Sequence, residues 1–238
     1  MDEKGIPAVS VIIPSKDYGS FIERSVESVL AQTIPASEII VIDDGSADDT
    51  KQRMEKFGKY VKYHYLDCKG VGAARNLGIK NSSGQFIAHL DADDYWVPEK
   101  LEIQLEEFYK DPKLEIAGGM MQPFFDPGIS KLKSGSIYCS PDPLPGFSAS
   151  VILVKRKSFL KVGYYGEDLK LGQDLDWFLR ARESGLSEKM VEKTLAHRRL
   201  HENNSSMKNK KDGMERIRLL KLSLDRRRGQ KSTNDEKG

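Results

Sequence analysis

The sequence predicts an α/β fold in which a mostly parallel sheet is flanked by helices within a single domain. Continuous apolar runs of strand length alternate with helix-length segments, and polar clusters follow several of the apolar runs. Apolar runs without polar alternation are typical of strands buried on both faces. Their alternation with helices indicates βαβ units and parallel strands.

The first half of the chain contains four strand–helix pairs. Residues 9–14 form a β-branched run that ends at Pro14, and residues 21–32 carry apolar side chains at helical spacing. The same alternation continues downstream. The further predicted strands are 38–43, 61–66 and 85–91, and the further predicted helices are 48–57, 72–80 and 98–109.

The second half of the chain is less regular. Its predicted elements are strands at 114–124 and 150–155, short strands in a Pro/Gly-rich loop up to residue 138, a turn-rich segment at 141–146, helices at 156–162 and 174–184, and one or two strands within 189–201. The chain shows no internal repeat, so one domain rather than a repeat array is expected.

Composition excludes several classes of protein. The 238 residues have the size of one large domain and a net charge of +2. No run of about 18 apolar residues appears, so we expect no membrane-spanning helix. The first residues lack the apolar segment of a signal peptide, and Cys68 and Cys139 lack a metal-binding spacing. We therefore expect a cytoplasmic protein with free thiols and no nucleic-acid partner.

Polar clusters follow three of the predicted strands, at 14–17, 43–46 and 91–93. Ligands of such sheets bind beyond the carboxyl ends of the strands. We therefore expect these three clusters to build one ligand site.

The acidic stretch that ends the fourth predicted strand is the densest cluster. In an extended backbone, Asp91 and Asp93 would project to the same side, with Ala92 between them leaving room for a ligand. Two carboxylates at such a short distance repel each other unless a cation lies between them, which favours a divalent metal. The alternative is an acidic turn before the helix at 98–109, and this stretch alone does not decide between them.

A glycine-rich turn opens the predicted helix at 72–80. Its Gly70 and Gly72 begin a dinucleotide fingerprint, but Arg75 stands where the third glycine would be, so the signal is weak. Arg75 at a helix start is instead a candidate phosphate partner. The chain contains no GxxxxGK[ST], GxSxG or HExxH motif, which argues against a P-loop nucleotidase, an α/β-hydrolase and a zincin.

Four motifs, at 9–14, 41–46, 72–78 and 90–94, occur in the order seen in glycosyltransferase family 2, which the chain resembles. The resemblance is dense over residues 8–110 and sparser over 146–205. It implies the GT-A fold, a Rossmann-like arrangement, and a transferase that uses a nucleotide-sugar.

The resemblance implies a nucleotide-sugar-binding role for a set of strand-end residues. Within this set Asp44 would read the uracil ring, Arg75 would lie near the diphosphate, and Asp91 would contact the ribose or a metal-bound water. Asp93 would bind Mn²⁺ or Mg²⁺ directly. The family often has Asn where Asp17 stands, which weakens that assignment. The full set is Pro14, Ser15, Asp17, Asp43, Asp44, Arg75, Asp91 and Ala92.

A second acidic motif, at 172–177, implies the catalytic base. Gln173 stands where the family usually has Glu, which leaves Asp174 as the base that would deprotonate the acceptor hydroxyl, with inversion at the sugar. The alternative is that Asp174 caps the helix. Residues i and i+2 of a helix do not share a face, so Asp176 is expected to be structural.

A histidine followed by Asn and Ser, at 201–205, matches the part of the family pattern that completes the metal and diphosphate shell. His201 is therefore a candidate metal ligand, whereas His197 is expected to be structural. Arg198 and Arg199 could contact phosphate or form a solvated face, and the sequence does not separate these roles.

The expected organisation is a nucleotide-sugar-binding half at 1–110, an acceptor-binding half at 111–207 and a basic C-terminal helix and tail at 208–238. The expected activity is metal-dependent, inverting transfer of a sugar from a UDP-hexose or UDP-N-acetylhexosamine to a hydroxyl of a saccharide or lipid-linked acceptor. Bacterial surface polysaccharide or glycoconjugate synthesis is the expected setting. The alternatives are a sugar-1-phosphate nucleotidyltransferase and a non-catalytic nucleotide-sugar-binding protein.

The C-terminal segment at 208–238 contains 11 Lys/Arg against 5 Asp/Glu, a surplus of +6, so the rest of the chain sums to −4. Apolar residues between Met214 and Leu224 are interspersed with basic ones at helical spacing. Two interpretations stay open. One is a terminal helix packed on the domain, the commoner arrangement, and the other is peripheral contact with the inner face of a membrane.

Overall fold

A computed structural model of the chain describes residues 7–126, 139–146, 148–169, 171–201, 204 and 212–235. Its strands are β1 (Val9–Ser15), β2 (Glu38–Asp43), β3 (Val61–Tyr65), β4 (Phe86–His89), β5 (Tyr95–Trp96), β6 (Ile116–Phe125), β7 (Leu144–Gly146), β8 (Leu153–Lys155) and β9 (Glu188–Leu200). Its α-helices are α1 (Gly19–Leu30), α2 (Thr50–Glu55), α3 (Val71–Lys80), α4 (Lys100–Lys110), α5 (Arg156–Val162), α6 (Gln173–Glu183) and α7 (Asp212–Asp235).

The first half of the chain forms the parallel part of the sheet. Its strands lie in the order β3-β2-β1-β4, and all three pairings are parallel. Pro14 lies inside β1 opposite Ile42 of β2, but β4 pairs with β1 only as far as Ile12. A proline lacks the backbone N–H that a central strand needs. Pro14 is tolerated because β4, the neighbour of β1 on the side away from β2, does not pair with β1 beyond Ile12.

The second half extends the same sheet with mixed pairings. β8 lies antiparallel to β4 and β6, and β9 runs parallel to β6. β5 and β7 add antiparallel edges on β9 and β6. Most of the paired residues are in parallel register, so the predicted single α/β domain with a mostly parallel sheet flanked by helices is confirmed.

The core lies on both faces of the sheet. Val9, Val11 and Ile13 of β1 belong to one buried cluster, whereas Ile12 belongs to another. This is the alternation that a strand imposes on its side chains. The second cluster includes Trp177 of α6, which is fully buried.

Several predicted elements have different bounds in the structure. The strand predicted at 85–91 ends at His89, and the chain then turns, so Asp91 and Asp93 do not lie on an extended backbone as we expected. The predicted strand at 150–155 begins as a 3₁₀ helix, Ala149–Val151, because the Ser148 side chain accepts a hydrogen bond from the Ser150 backbone.

Two short strands, β5 and β7, were not predicted. β5 has two residues and β7 has three, which is too short for a periodic pattern. The region at 189–201 is one strand, and the short strands expected before residue 138 lie outside the described residues.

The C-terminal helix α7 packs on α6. Leu219 and Ser223 of α7 are buried, and Arg226 forms an ion pair with Glu183 of α6. Among the described residues, no helix combines the length and the apolar character needed to cross a membrane.

Candidate active site

Loops after β1 and β2 are joined by hydrogen bonds at the carboxyl edge of the sheet. The Asp17 carboxylate accepts from the Ala47 backbone N at 2.7 Å, and the Asp17 backbone N donates to Ser46 Oγ at 2.9 Å. Asp17 has a φ of 57°, a left-handed conformation that Asp tolerates better than most residues. Ser15 is buried and its hydroxyl has no partner among the described residues.

Asp43 is the last residue of β2 and Asp44 follows it, and both are buried. Asp43 accepts from Tyr63 Oη at 2.5 Å and from the Ser46 backbone at 2.8 Å. Asp44 accepts from the backbone N atoms of Lys69 and Gly70, each at 2.7 Å. The Asp44 bonds order the turn that starts α3. Both carboxylates keep lone pairs for a ligand.

Arg75 of α3 lies buried beneath this edge, with 4% of its surface exposed. Its guanidinium donates to Asp91 Oδ1 at 2.7 Å, and its Nε has no partner among the described residues. Burial would lower the pKa of Arg75, but the carboxylates of Asp91 and Asp174 outweigh it and raise that pKa. Arg75 is therefore a fixed cation with a donor to spare.

The acidic stretch forms a turn held from both sides. The Asp94 backbone N donates to the Asp91 carbonyl at 3.0 Å, and Ser25 Oγ lies 2.8 Å from the Ala92 carbonyl oxygen. Ser150 Oγ lies 3.1 Å from the Asp91 backbone N and 3.0 Å from Asp94 Oδ2. Ala92 is fully buried in the core. Its expected contact with the nucleotide-sugar stays a prediction.

The two inner carboxylates of this turn differ in environment. Asp94 is enclosed, and burial, followed by the charges of Asp93 and Asp91, raises the pKa of Asp94 well above its ordinary value. Asp93 instead faces the end of β9, where its Oδ2 lies 3.0 Å from His201 Nε2 and 2.9 Å from Asn204 Nδ2. The Asp94 side chain thus stabilises the turn through Ser150, whereas the Asp93 side chain contacts His201.

His201 is buried against aromatic rings. Its imidazole packs on Phe21, with ring centroids 4.6 Å apart, and meets Tyr18 edge-on at 5.7 Å. Its backbone N donates to Asn204 Oδ1 at 2.6 Å, so Asn204 positions His201 as well as Asp93. Residues 202, 203 and 205 of the predicted motif lie outside the described residues.

The structure distinguishes the two arginines that the sequence left open. Arg199 is buried, its Nε donates to the Asp93 carbonyl at 3.2 Å, and a guanidinium nitrogen lies 2.7 Å from Asp126. Its backbone N also donates to Asp94 Oδ1 at 3.1 Å. Arg199 thereby ties β9 to the acidic turn, whereas Arg198 is half-buried.

The side chains of Asp93 and His201 fit a divalent cation in part. A carboxylate oxygen and an imidazole nitrogen lie 3.0 Å apart, and both are ligands that Mn²⁺ accepts in proteins. Within the described parts of the chain, no group of three or more His, Cys, Asp or Glu side chains could hold a metal ion. A cation here would need further oxygens, and substrate phosphates are the ligands that usually supply them.

Asp174 lies in the first turn of α6 and is half-buried. The N-cap of this helix is Gly172, with a φ of 78°, and no side-chain hydrogen bond caps the helix start among the described residues. Asp174 is therefore not the capping residue of α6. Asp174 acts electrostatically on Arg75 and Tyr165. Asp176 forms an ion pair with Arg180 at 2.9 Å, as a structural residue would.

Asn76 and Tyr165 are site residues that sequence reasoning missed. The Asn76 amide donates to the Tyr165 carbonyl and accepts from the Tyr165 backbone N, both at 3.0 Å. Tyr165 is buried beside Arg75, and its hydroxyl has no partner among the described residues. The available signal was the position of Asn76 directly after Arg75 in a matched motif.

Comparison with known proteins gives the family. Residues 10–160 match the sequence profile of Glycosyl transferase family 2. An uncharacterised glycosyltransferase of Rickettsia prowazekii (strain Madrid E) is 32% identical over 197 residues, which cover 76% of this chain and 60% of that protein.

Two named relatives match over shorter stretches. The chondroitin synthase of Escherichia coli is 38% identical over 114 residues, covering 47% of this chain and 17% of the synthase. TuaG of Bacillus subtilis (strain 168), named a putative teichuronic acid biosynthesis glycosyltransferase, is 42% identical over 104 residues, covering 42% and 41%. The chain therefore spans less than two thirds of the length of each of these three relatives.

Solved structures share the fold. Residues 1–349 of S. aureus TarS, crystallised with UDP-GlcNAc, match with a TM-score of 0.71 at 23% identity, covering 91% of this chain and 66% of that one. This likeness confirms the expected GT-A fold. Because the family profile matches more than half of the residues, the chain belongs to glycosyl transferase family 2.

Proposed function

We propose that this glycosyltransferase moves a hexose or N-acetylhexosamine from a UDP-sugar to a hydroxyl of a saccharide or lipid-linked acceptor, with inversion and with Mn²⁺ or Mg²⁺. Bacterial surface polysaccharide or glycoconjugate synthesis is the proposed setting. The relatives support this, since they include a chondroitin synthase and TuaG, which is named for teichuronic acid biosynthesis. TarS crystallised with UDP-GlcNAc supports the class of donor.

The observation that supports this proposal most strongly is the buried Arg75. It forms an ion pair with Asp91, and the charge of Asp174 helps to raise the pKa of Arg75. A fixed cation of this kind suits a diphosphate, and it links the strand-end carboxylates to the start of α6. The contact between Asp93 and His201 lies on the same acidic turn. Donor diphosphate, cation and candidate base would then meet within one site.

The chemistry assigns a separate task to each group. Asp174 accepts the proton of the acceptor hydroxyl, whose oxygen forms a bond to the anomeric carbon as the bond from that carbon to the diphosphate oxygen breaks. The leaving UDP carries the bonding electron pair, and Arg75 stabilises its negative charge. A cation bound by Asp93 and His201 would supply further neutralisation of that charge.

The test is release of UDP from a panel of UDP-sugars with saccharide acceptors, with Mn²⁺, with Mg²⁺ and with a chelator. We expect metal-dependent release of UDP, and Asp93→Asn should lower it by about 10²- to 10³-fold, the scale of losing one charge-stabilising group. Asp168→Asn, which changes an exposed carboxylate, is the control. Metal-independent release, or full turnover by Asp93→Asn, would contradict the proposal.

The same assay separates the two alternatives. A sugar-1-phosphate nucleotidyltransferase would consume UTP and release pyrophosphate instead of UDP. A non-catalytic binding protein would bind UDP-sugar with no turnover in a single-turnover experiment.

A further inference from the structure

Helix α7 exposes an apolar stripe to solvent. Met214 is 74% exposed, Ile217 67%, Leu220 47% and Leu224 46%. These residues are three or four positions apart, so they lie along one side of the helix. Scattered exposed apolar residues are ordinary, but a contiguous row at helical spacing indicates an interaction surface.

The opposite side of α7 is already in use. Leu219 is 1% exposed and Ser223 is 1% exposed against the domain, and Arg226 adds ion pairs to Glu183 and Asp176. At 100° per residue these three positions lie well over a quarter-turn from the centre of the apolar stripe. The packed face therefore holds the helix in place while the stripe faces outward.

Basic side chains border the stripe. Arg227 lies on one side of it, and Lys221 and Arg228 lie on the other by helical geometry. All three are exposed, and none has an ion pair among the described residues. Such side chains place their charge at the level of lipid headgroups while their stems cover apolar surface.

We propose that α7 docks on the surface of a bilayer that contains anionic lipid, with the Met214–Ile217–Leu220–Leu224 stripe in the acyl boundary. Apolar side chains bordered by cations match an interface that is apolar below and anionic above. A soluble acidic partner would match the charges but not the apolar row. A second copy of the chain would match the apolar row but would bring the like charges together.

The position of α7 gives this docking a consequence for the site. Leu219 packs so close to Gly172 that a Cβ added to Gly172 would lie 2.7 Å from a methyl carbon of Leu219. Gly172 is the N-cap of α6, the helix that carries Asp174. A membrane on the outer side of α7 would therefore be separated from the helix that carries the candidate base by the width of α7, about 10 Å. An acceptor carried on a lipid is the class that this arrangement serves. The class of acceptor rests on the function proposed above, whereas the docking itself does not.

The test is flotation of the full chain with vesicles of phosphatidylcholine alone and of phosphatidylcholine mixed with phosphatidylglycerol. We expect binding to the mixed vesicles only. Ile217→Ser with Leu220→Ser should lower that binding at least about tenfold, because two apolar side chains lose their burial. Lys221→Gln with Arg228→Gln should lower it by roughly 10- to 30-fold.

Leu222→Ser is the matched control, because Leu222 is 42% exposed but lies on the other side of α7. It should bind the vesicles like the unaltered chain. Equal binding by the stripe variant and the control, or no binding by the unaltered chain, would overturn the proposal. A dimer in light scattering that the stripe variant alone abolishes would overturn it in favour of a second copy.

Vesicle binding needs no catalysis, so its failure is distinct from failure of the proposed reaction. Metal-dependent release of UDP with a water-soluble saccharide acceptor should be the same for the stripe variant and the unaltered chain.

Discussion

The two halves of the sheet position their functional side chains in different ways. In the parallel half, carboxylates are held by neighbouring loops at the same edge, as Asp44 is by the backbone at Lys69 and Gly70. In the mixed half, the decisive contacts reach back across the molecule. Asn76 and Tyr165 are 89 positions apart, and Asp93 and His201 are 108 apart.

This difference separates what each half contributes to the site. The parallel half provides a rigid edge with Arg75 fixed at its centre. The mixed half adds Tyr165, Asp174 and His201, which reach that edge only after the sheet is complete. Substitutions in the second set should therefore report on how the halves meet.

The largest effect is expected from the candidate base. Asp174→Asn keeps the size of the side chain but removes the proton acceptor, so kcat should fall by about 10²- to 10⁴-fold with little change in the KM for the donor. Steady-state release of UDP measures both constants.

Asp176→Asn is the control for that change. Asp176 pairs with Arg180 and Arg226, so its loss should lower the melting temperature while kcat changes little. If Asp176→Asn impaired kcat more than Asp174→Asn did, the assignment of the base would be wrong.

The next largest effect is expected at the contact between the two halves that Asn76 forms with the Tyr165 backbone. Asn76→Ala leaves the backbone N and carbonyl of Tyr165 without their partner, so the free energy of unfolding should fall by about 2–4 kcal/mol. Urea denaturation measures it.

Asn81→Ala is the matched change at the end of α3, where the Asn81 amide donates to the Leu77 carbonyl of the same helix and has no other side-chain hydrogen bond within the described part of the chain. It should cost about 1 kcal/mol or less. Equal losses of unfolding free energy in both variants would contradict the expectation that the contact between Asn76 and Tyr165 stabilises the fold more than a bond within one helix does.

The smallest effect is a pH dependence at His89. This residue is fully buried against Tyr165, both ring nitrogens lack a partner among the described residues, and burial lowers the pKa of His89 well below 6.5. Below pH 6.5 the unfolded chain takes up a proton that the folded chain does not, so stability falls as the pH falls.

His89→Leu should remove that share of the acid sensitivity. The difference in unfolding free energy between the variant and the unaltered chain should grow by about 1.4 kcal/mol per pH unit below pH 6.5. Urea denaturation from pH 7.5 to 5 measures it, and a constant difference would contradict a buried neutral His89.

The sequence was sufficient for most of the parallel half because β1, β2 and β4 are largely apolar runs, each with a polar cluster at or after its end. Strand 38–43 matches β2 residue for residue, and the helix predicted at 156–162 matches α5. The two-residue β5 forms because β9 offers it a partner, which no local pattern of the sequence contains. Tyr165 was missed for the same reason, because its partner Asn76 lies 89 positions away.

The acidic turn shows the limit most clearly. Alternation along a strand placed Asp91 and Asp93 side by side, but β4 ends at His89 and the turn sends them to different partners. Asp91 meets Arg75, and Asp93 meets His201. Which of two neighbouring carboxylates faces a cation depends on side chains contributed by distant elements.

The pairing of Asp93 with His201 as a cation site across the two halves is tested most directly by binding of Mn²⁺. Free Mn²⁺ can be measured by electron paramagnetic resonance during titration with the full chain, with and without UDP. The unaltered chain should bind Mn²⁺ in the presence of UDP, and Asp93→Asn and His201→Gln should each weaken binding by about 10- to 100-fold or more. Binding of Mn²⁺ that is equal in the unaltered chain and both variants would contradict the site.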